Sequence, residues 1–167
     1  VTMRQVASNA GMSLGHVQYY YKNKNDLLKA MADRYFKDCL EEMRKLNIIQ
    51  SDQETESELR ALLSSFLQHG LEMSEMCRIF REYWAISTRN PVIDEHIKQY
   101  YQDMADILSE ILRPISQSDD GLSKAVSIII PYVEGYSITA QAMPTSKDDL
   151  VNALTAYITW ILKQSNA

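Results

Sequence analysis

The 167 residues include 46% hydrophobic side chains, enough to bury a substantial core and too many for a disordered chain. Five Gly and four Pro are too few to turn a fold of many short strands, so the expected class is all-α. The net charge of −5 argues against a nucleic-acid binder only until its distribution is read: residues 1–46 hold eight Lys and Arg against five Asp and Glu, a net +3, and the remainder is −8.

Thr2 is placed to cap a helix over 3–10, with Gln5 reaching back as in a capping box, and Gly11 supplies the left-handed residue that ends it. Ser13 caps the next helix, 14–20. After Lys22-Asn23-Lys24-Asn25, Asn23 caps a long helix over 24–46. Its Leu27, Leu28, Met31, Tyr35, Cys39 and Met43 recur at helical spacing and are expected to face inward. The polar stretch 50–56 marks the expected boundary between two units, 1–46 and 54–167.

In the second unit, 58–73 reads as a core helix through Leu59, Leu62, Leu63, Phe66, Leu67 and Leu71. An aromatic-rich helix follows over 75–88. Asn90-Pro91 with Asp94 and Glu95 combines a cap, a proline at the first helical position and acids at the positive end of the dipole. The helix that starts there presents Ile93, Ile97, Tyr100, Tyr101, Met104, Leu108 and Ile111. Residues 115–121 read as a loop.

Over 122–143 the only charges are Lys124 and Glu134, so this helix must be covered on most sides. Pro144 breaks it, and Ser146-Lys147-Asp148-Asp149 opens a last helix, 148–163, with Leu150, Leu154, Tyr157, Ile158, Ile161 and Leu162 inward. Two such charge-poor helices are expected to pair with their copies across a two-fold axis, where Leu154→Arg would split the dimer. The chain start shows no export signal, and Pro131, Glu134 and several hydroxyls interrupt the richest apolar stretch, so neither export nor membrane spanning is expected. The cytoplasm is the expected location, with Cys39 and Cys77 as two buried thiols in a reducing compartment.

Ala7, Gly11 and Val17 have the spacing of a helix-turn-helix: a small residue where two helices nearly touch, a turn residue tolerating positive φ, and an apolar lock on the second helix. The continuation from Ala10 through Gln18-Tyr19-Tyr20-Tyr21-Lys22-Asn23-Lys24 to Leu27-Leu28 makes the motif specific. Over roughly 2–28 it resembles, without a gap, the DNA-binding head of the tetracycline-repressor (TetR) family, nearest its BetI-like branch. The family head carries a further helix before the one that starts here, so that helix is apparently absent from the sequence and the head's core is expected to be incomplete.

The resemblance implies a transcriptional repressor that a small-molecule effector releases from a palindromic operator. Residues 1–46 then form the DNA-binding unit with its connecting helix, and 54–167 the ligand-binding and dimerisation unit. The helix 14–20 would enter the major groove, with Leu14, Gly15 and His16 at base edges and Gln18 reading adenine or binding phosphate. Tyr19, Tyr20 and Lys24 match phosphate-clamping positions, and Arg4 matches one that reaches a guanine or the backbone. Three consecutive aromatics on a helix cannot share a face, so Tyr21 is expected in the core. In the second unit Phe66, Phe80, Tyr83, Trp84, Tyr100, Tyr101, Met104 and Tyr132 either surround a cavity or fill a core. The resemblance favours a cavity, and Glu134 beside aromatics suits an apolar or cationic effector.

Other chemistry finds little support in the sequence. His16, His69 and His96 sit in different elements without a nucleophile or base motif, so no catalysis and no cofactor are expected. Convergence of His69, Cys77 and His96 on a metal lacks ligand spacing, and packing or solvent-facing roles are the simpler reading. The alternative function is an all-α protein-interaction module without sequence-specific DNA binding.

Overall fold

The computed structural model describes residues 2–46, 49, 55–72 and 75–165, with residues 75 and 76 by backbone alone. Local cap chemistry sets the first three helices. Thr2 Oγ1 accepts the Gln5 amide and Gln5 Oε1 accepts the Thr2 amide, at 3.2 and 2.8 Å, opening α1 (Met3–Asn9) with the expected reciprocal box. Gly11, at φ 66°, ends it: its amide donates to Ser8 and that of Met12 to Ala7, closing a Schellman turn. Ser13 caps α2 (Leu14–Tyr20) and Asn23 caps α3 (Lys24–Arg44). Ala7 and Val17, 2% and 4% exposed, form the contact that fixes α2 against α1.

The body is built from α4 (Thr55–Leu71), α5 (Glu75–Ser87), α6 (Pro91–Leu112), α7 (Asp119–Thr139) and α8 (Lys147–Leu162), with short 3-10 turns at Arg113–Ile115 and Ala140–Ala142. Among the described residues there is no strand, as the composition implies. Most of the expected boundary segment 50–56 lies outside the described residues, and α4 already begins at Thr55. α4 packs on α7 and α8, α3 on α6, α6 on α5 and α7, and α7 on α8. Leu59, Leu63, Leu67, Leu108, Ile129 and Ile158 are sealed from solvent at their centre.

Two inward faces and one helix start differ from expectation. On α3 the buried residues are Leu27, Ala32, Phe36 and Leu40, while Tyr35, Cys39 and Met43 are half-buried and Met31 is exposed. Two adjacent apolar stripes run along this helix, and contact with α6 takes the one centred on Phe36, whose ring lies 4.7 Å from that of Tyr100. On α8 Tyr157 points outward, stacked on Trp160 at 6.0 Å. Leu154, in contrast, is 6% exposed within this chain, so Leu154→Arg would charge the core and not an interface. α7 begins earlier than expected, because Ser118 Oγ accepts the Gly121 amide and turns part of the polar 115–121 stretch into helix.

Gly121 is there for space. A Cβ at that position would stand 2.8 Å from the Ile161 carbonyl oxygen, and backbone cannot step aside as a flexible side chain can. Gly121→Ala should therefore part α7 from α8 and cost about 1–3 kcal/mol, the usual range for overpacking. Urea unfolding followed by circular dichroism measures this, and an unchanged midpoint would contradict the close approach.

α7 and α8 leave uncharged strips uncovered on this chain. Ser127, Pro131, Gly135 and Ile138 are exposed on α7, and Ala153, Ala156, Tyr157 and Trp160 on α8. The expectation that α7 be covered on most sides is thus met on one face only within a single chain.

Candidate functional sites: an exposed head helix and a cavity in the body

On α2 every residue except Leu14 and the buried Val17 is open to solvent, and Leu14 is half-buried. Tyr19 is 82% and Tyr20 62% exposed; their rings meet edge-on at 5.2 Å, and Tyr20 also lies 5.5 Å from the His16 ring. Exposed aromatics of this size leave a large apolar area in water unless a partner covers it. Tyr21 turns inward and is half-buried, in the direction expected for the third aromatic. Gly15 has nothing within 4 Å of where a Cβ would stand, so the backbone at this point can approach a surface closely.

Arg4 and Lys24 are exposed and, among the described residues, form no ion pair. No acidic residue precedes Asp26 in the sequence, so the field over α1 and α2 is positive although the whole chain is acidic. The head thus presents unpaired cations, hydroxyl-tipped aromatics and a bare backbone side by side, a set suited to phosphate oxygens and base edges.

The body holds a cavity of about 640 Å³ between α3, α4, α5, α6 and α7. Phe66, Phe80, Tyr100, Met104 and Glu134 line it, as the sequence suggested. Tyr83, Trp84, Tyr101 and Tyr132 are not on its wall. Tyr83 is buried against Phe36, and Tyr132 stacks on Tyr136 at 6.4 Å. Trp84 is half-exposed and donates its indole N–H to the Tyr101 hydroxyl at 3.0 Å, and Tyr101 stands behind the wall, near Glu134.

The sequence reading missed the contribution of α3: Tyr35, Cys39 and Met43, taken as core, form one wall. Both cysteines reach the cavity half-buried, and the Cys77 thiol lies 3.5 Å from the His69 carbonyl oxygen, tying α5 to α4. Burial pushes the Cys39 thiol up, and a hydrogen bond with Tyr35 offsets part of that rise. His96 is elsewhere, its two ring nitrogens 2.6 Å from the Val92 carbonyl and 3.1 Å from Asp33 of α3. Among the described residues no cluster of three His, Cys, Asp or Glu is arranged to hold a metal ion.

Burial also pushes the Glu134 carboxyl up, and the hydrogen bond from Tyr101 offsets part of that rise. Burial raises Tyr100 and Tyr101 as well, and the Glu134 charge is the next cause at Tyr101, whereas at Tyr100 it follows that of Cys39. The cavity is therefore an aromatic-lined space with the Glu134 carboxyl inside it and those of Asp38 and Glu42 at its edge.

No protein-family model matches the chain. The chain is 52% identical, over all of its 167 residues and 83% of the relative's length, to an HTH-type transcriptional regulator in the dhlA 5′ region of Xanthobacter autotrophicus. It is 32% identical over 94 residues, 56% of this chain and 47% of the relative, to the HTH-type transcriptional regulator BetI of Serratia proteamaculans strain 568. The crystal structure of a TetR transcription regulator from Haloarcula marismortui superimposes with a TM-score of 0.64 over 97% of this chain and 85% of that one, at 16% identity. Identity across the whole chain shows that it belongs to the helix-turn-helix-type transcriptional regulators, DNA-binding proteins, and its fold is that of the TetR regulator. No helix among the described residues is long and apolar enough to cross a membrane.

Proposed function

We propose that this regulator is a cytoplasmic, non-enzymatic repressor: a homodimer that holds a pseudo-palindromic operator through α1 and α2 and lets go when a small, largely apolar molecule enters the cavity. The observation that carries this reading is the double role of α3, which follows directly on α2 at its start and walls the cavity with Tyr35, Cys39 and Met43 further along. A ligand that prefers one position of this helix shifts the head with it, and operator and ligand must then oppose each other by equal factors. In this reading the DNA-binding unit ends with α3 near residue 46 and the body begins near residue 54. Arg4, Lys24, Tyr19 and Tyr20 grip phosphates, Leu14, Gly15 and His16 face base edges, and Gln18 serves either purpose.

The test separates grip from reading. With the intact protein and a set of operator variants, Lys24→Ala should weaken binding alike for every sequence and reduce the slope of log affinity against log salt by about one. His16→Ala should instead change the order of preference among variants, by about 1–3 kcal/mol at one base pair. Mobility shifts over a salt series measure both, and identical behaviour of the two substitutions on every operator would refute the assignment. Release of the operator by a compound that also raises the melting temperature of the free protein is the second half of the test.

A further inference from the structure

We propose that the cavity selects cations: its occupant carries a positive charge that Glu134 pairs, and Tyr101 and Trp84 are positioning residues that fix that carboxylate. This deepens the effector reading and rests on it.

The charge inventory of the wall points this way. No Lys or Arg lines the cavity, whereas three acids do. Asp38 and Glu42 stand exposed at its mouth and are already paired along α3, with Arg34 and Lys45. They lend the mouth a negative character but are not in need of a partner. Glu134 is different. It lies inside, on a helix whose only other cavity-side groups are apolar or hydroxyl, and among the described residues it forms no ion pair. Arg81 of α5, the basic side chain that reaches α7, spends a guanidinium N–H on the Ser137 carbonyl at 2.6 Å. A carboxyl taken out of water with no cation beside it is poorly solvated, and a cationic guest repairs this most fully because it supplies charge as well as a donor or an apolar surface.

The surroundings fit such a guest. The rings of Tyr35, Phe80 and Tyr100 line the cavity and belong to one cluster, with Tyr35 5.8 Å and Tyr100 4.8 Å from Phe80, so aromatic faces are available to an alkylammonium or a delocalised aromatic cation. Behind the carboxyl, the Trp84 indole N–H occupies a lone pair of the Tyr101 oxygen at 3.0 Å, which leaves the Tyr101 hydroxyl hydrogen free to turn toward the neighbouring Glu134. This chain holds the carboxylate at the wall without neutralising it. A basic residue in the place of Tyr101 would have satisfied Glu134 and left an apolar cavity.

Phenyltrimethylammonium and tert-butylbenzene test the proposal, because they have the same shape and differ in one central atom, charged nitrogen against carbon. The intact protein should bind the cation at least about tenfold more tightly than its neutral counterpart, measured by calorimetry and by the rise in melting temperature. Glu134→Gln should bring that ratio to about one. Tyr101→Phe and Trp84→Phe should lower the ratio several-fold while the helix content of the protein stays the same, an effect on charge preference that mere loss of packing would not produce. Equal binding of the two probes, or a ratio that survives Glu134→Gln, overturns the charge selection and leaves the effector cavity standing. An unaltered ratio in Tyr101→Phe overturns the positioning role. Binding of neither probe, together with no uptake of the neutral fluorophore N-phenyl-1-naphthylamine, overturns the effector reading itself.

Discussion

A double substitution, Ile138→Glu with Trp160→Glu, should turn the proposed dimer into a monomer and weaken operator binding by about 100-fold or more. Both side chains are largely exposed on this chain, 67% and 59%, and belong to the uncharged strips of α7 and α8. Two glutamates there should leave each chain folded but make the strip unable to lie against its copy, since carboxylates would have to be buried facing one another. The loss in DNA affinity follows from geometry. A dimer that reads two half-sites binds the second one intramolecularly, with avidity of 10²–10⁴ over a single site as the usual order of magnitude. Sedimentation at micromolar concentration and a mobility shift on the same samples give the answer. A variant that stays dimeric, or a monomer that binds the full operator as tightly as the parent, would remove the two-fold reading. Leu154→Arg cannot serve as this test, because Leu154 lies in the core and its loss would unfold the chain.

Filling the cavity should uncouple the two sites. Met104→Trp with Val133→Trp places two indoles into the space of about 640 Å³ from two of its walls, α6 and α7. Operator binding should persist, whereas any compound that releases the parent should be needed at a concentration at least tenfold higher, which corresponds to about 1.4 kcal/mol of lost ligand binding. N-phenyl-1-naphthylamine, which brightens in apolar surroundings, should brighten with the parent and stay dim with the filled variant. If release by ligand survives unaltered, the effector acts elsewhere on the chain.

Cap chemistry made most of the fold legible in the sequence. Thr2 with Gln5, Ser13, Asn23, Asn90 before Pro91, and Ser146 each satisfy helix-end amides within three residues, so their meaning does not depend on the tertiary structure. Ser118 has the same role but stands in a polar run whose Gly121 reads as a loop residue, and only the passing Ile161 carbonyl explains why a glycine belongs there. Which residues of a helix face a cavity is a tertiary matter. Phe66, Phe80, Tyr100, Met104 and Glu134 could be named from their helices, but Tyr35, Cys39 and Met43 looked like core because a cavity wall and a core face share the same spacing. Tyr101 differs from the wall residue Tyr100 by one position, which on a helix is enough to move a ring from the wall to the layer behind it.

α3 is also a lever. Its 21 residues span about 31 Å at the usual 1.5 Å per residue, with Lys24 at one end and Met43 close to the other. Between them Asp33 pairs with His96, and Asn25, beside Lys24, accepts a hydrogen bond from Asn90 at 3.0 Å, so the N-terminal half of the rod is pinned to the start of α6. A guest pressing on Cys39 or Met43 works on the arm beyond those pins, on the side away from the packed Phe36 and Leu40. If the rod turns by about 5° about a point between them as a rigid body, the Met43 end moves by about 2 Å and the Lys24 end by about 0.6 Å in the opposite direction. Hydrogen bonds to base edges tolerate only a few tenths of an ångström, so a small expansion of the cavity is sufficient to spoil the fit of two heads to one operator.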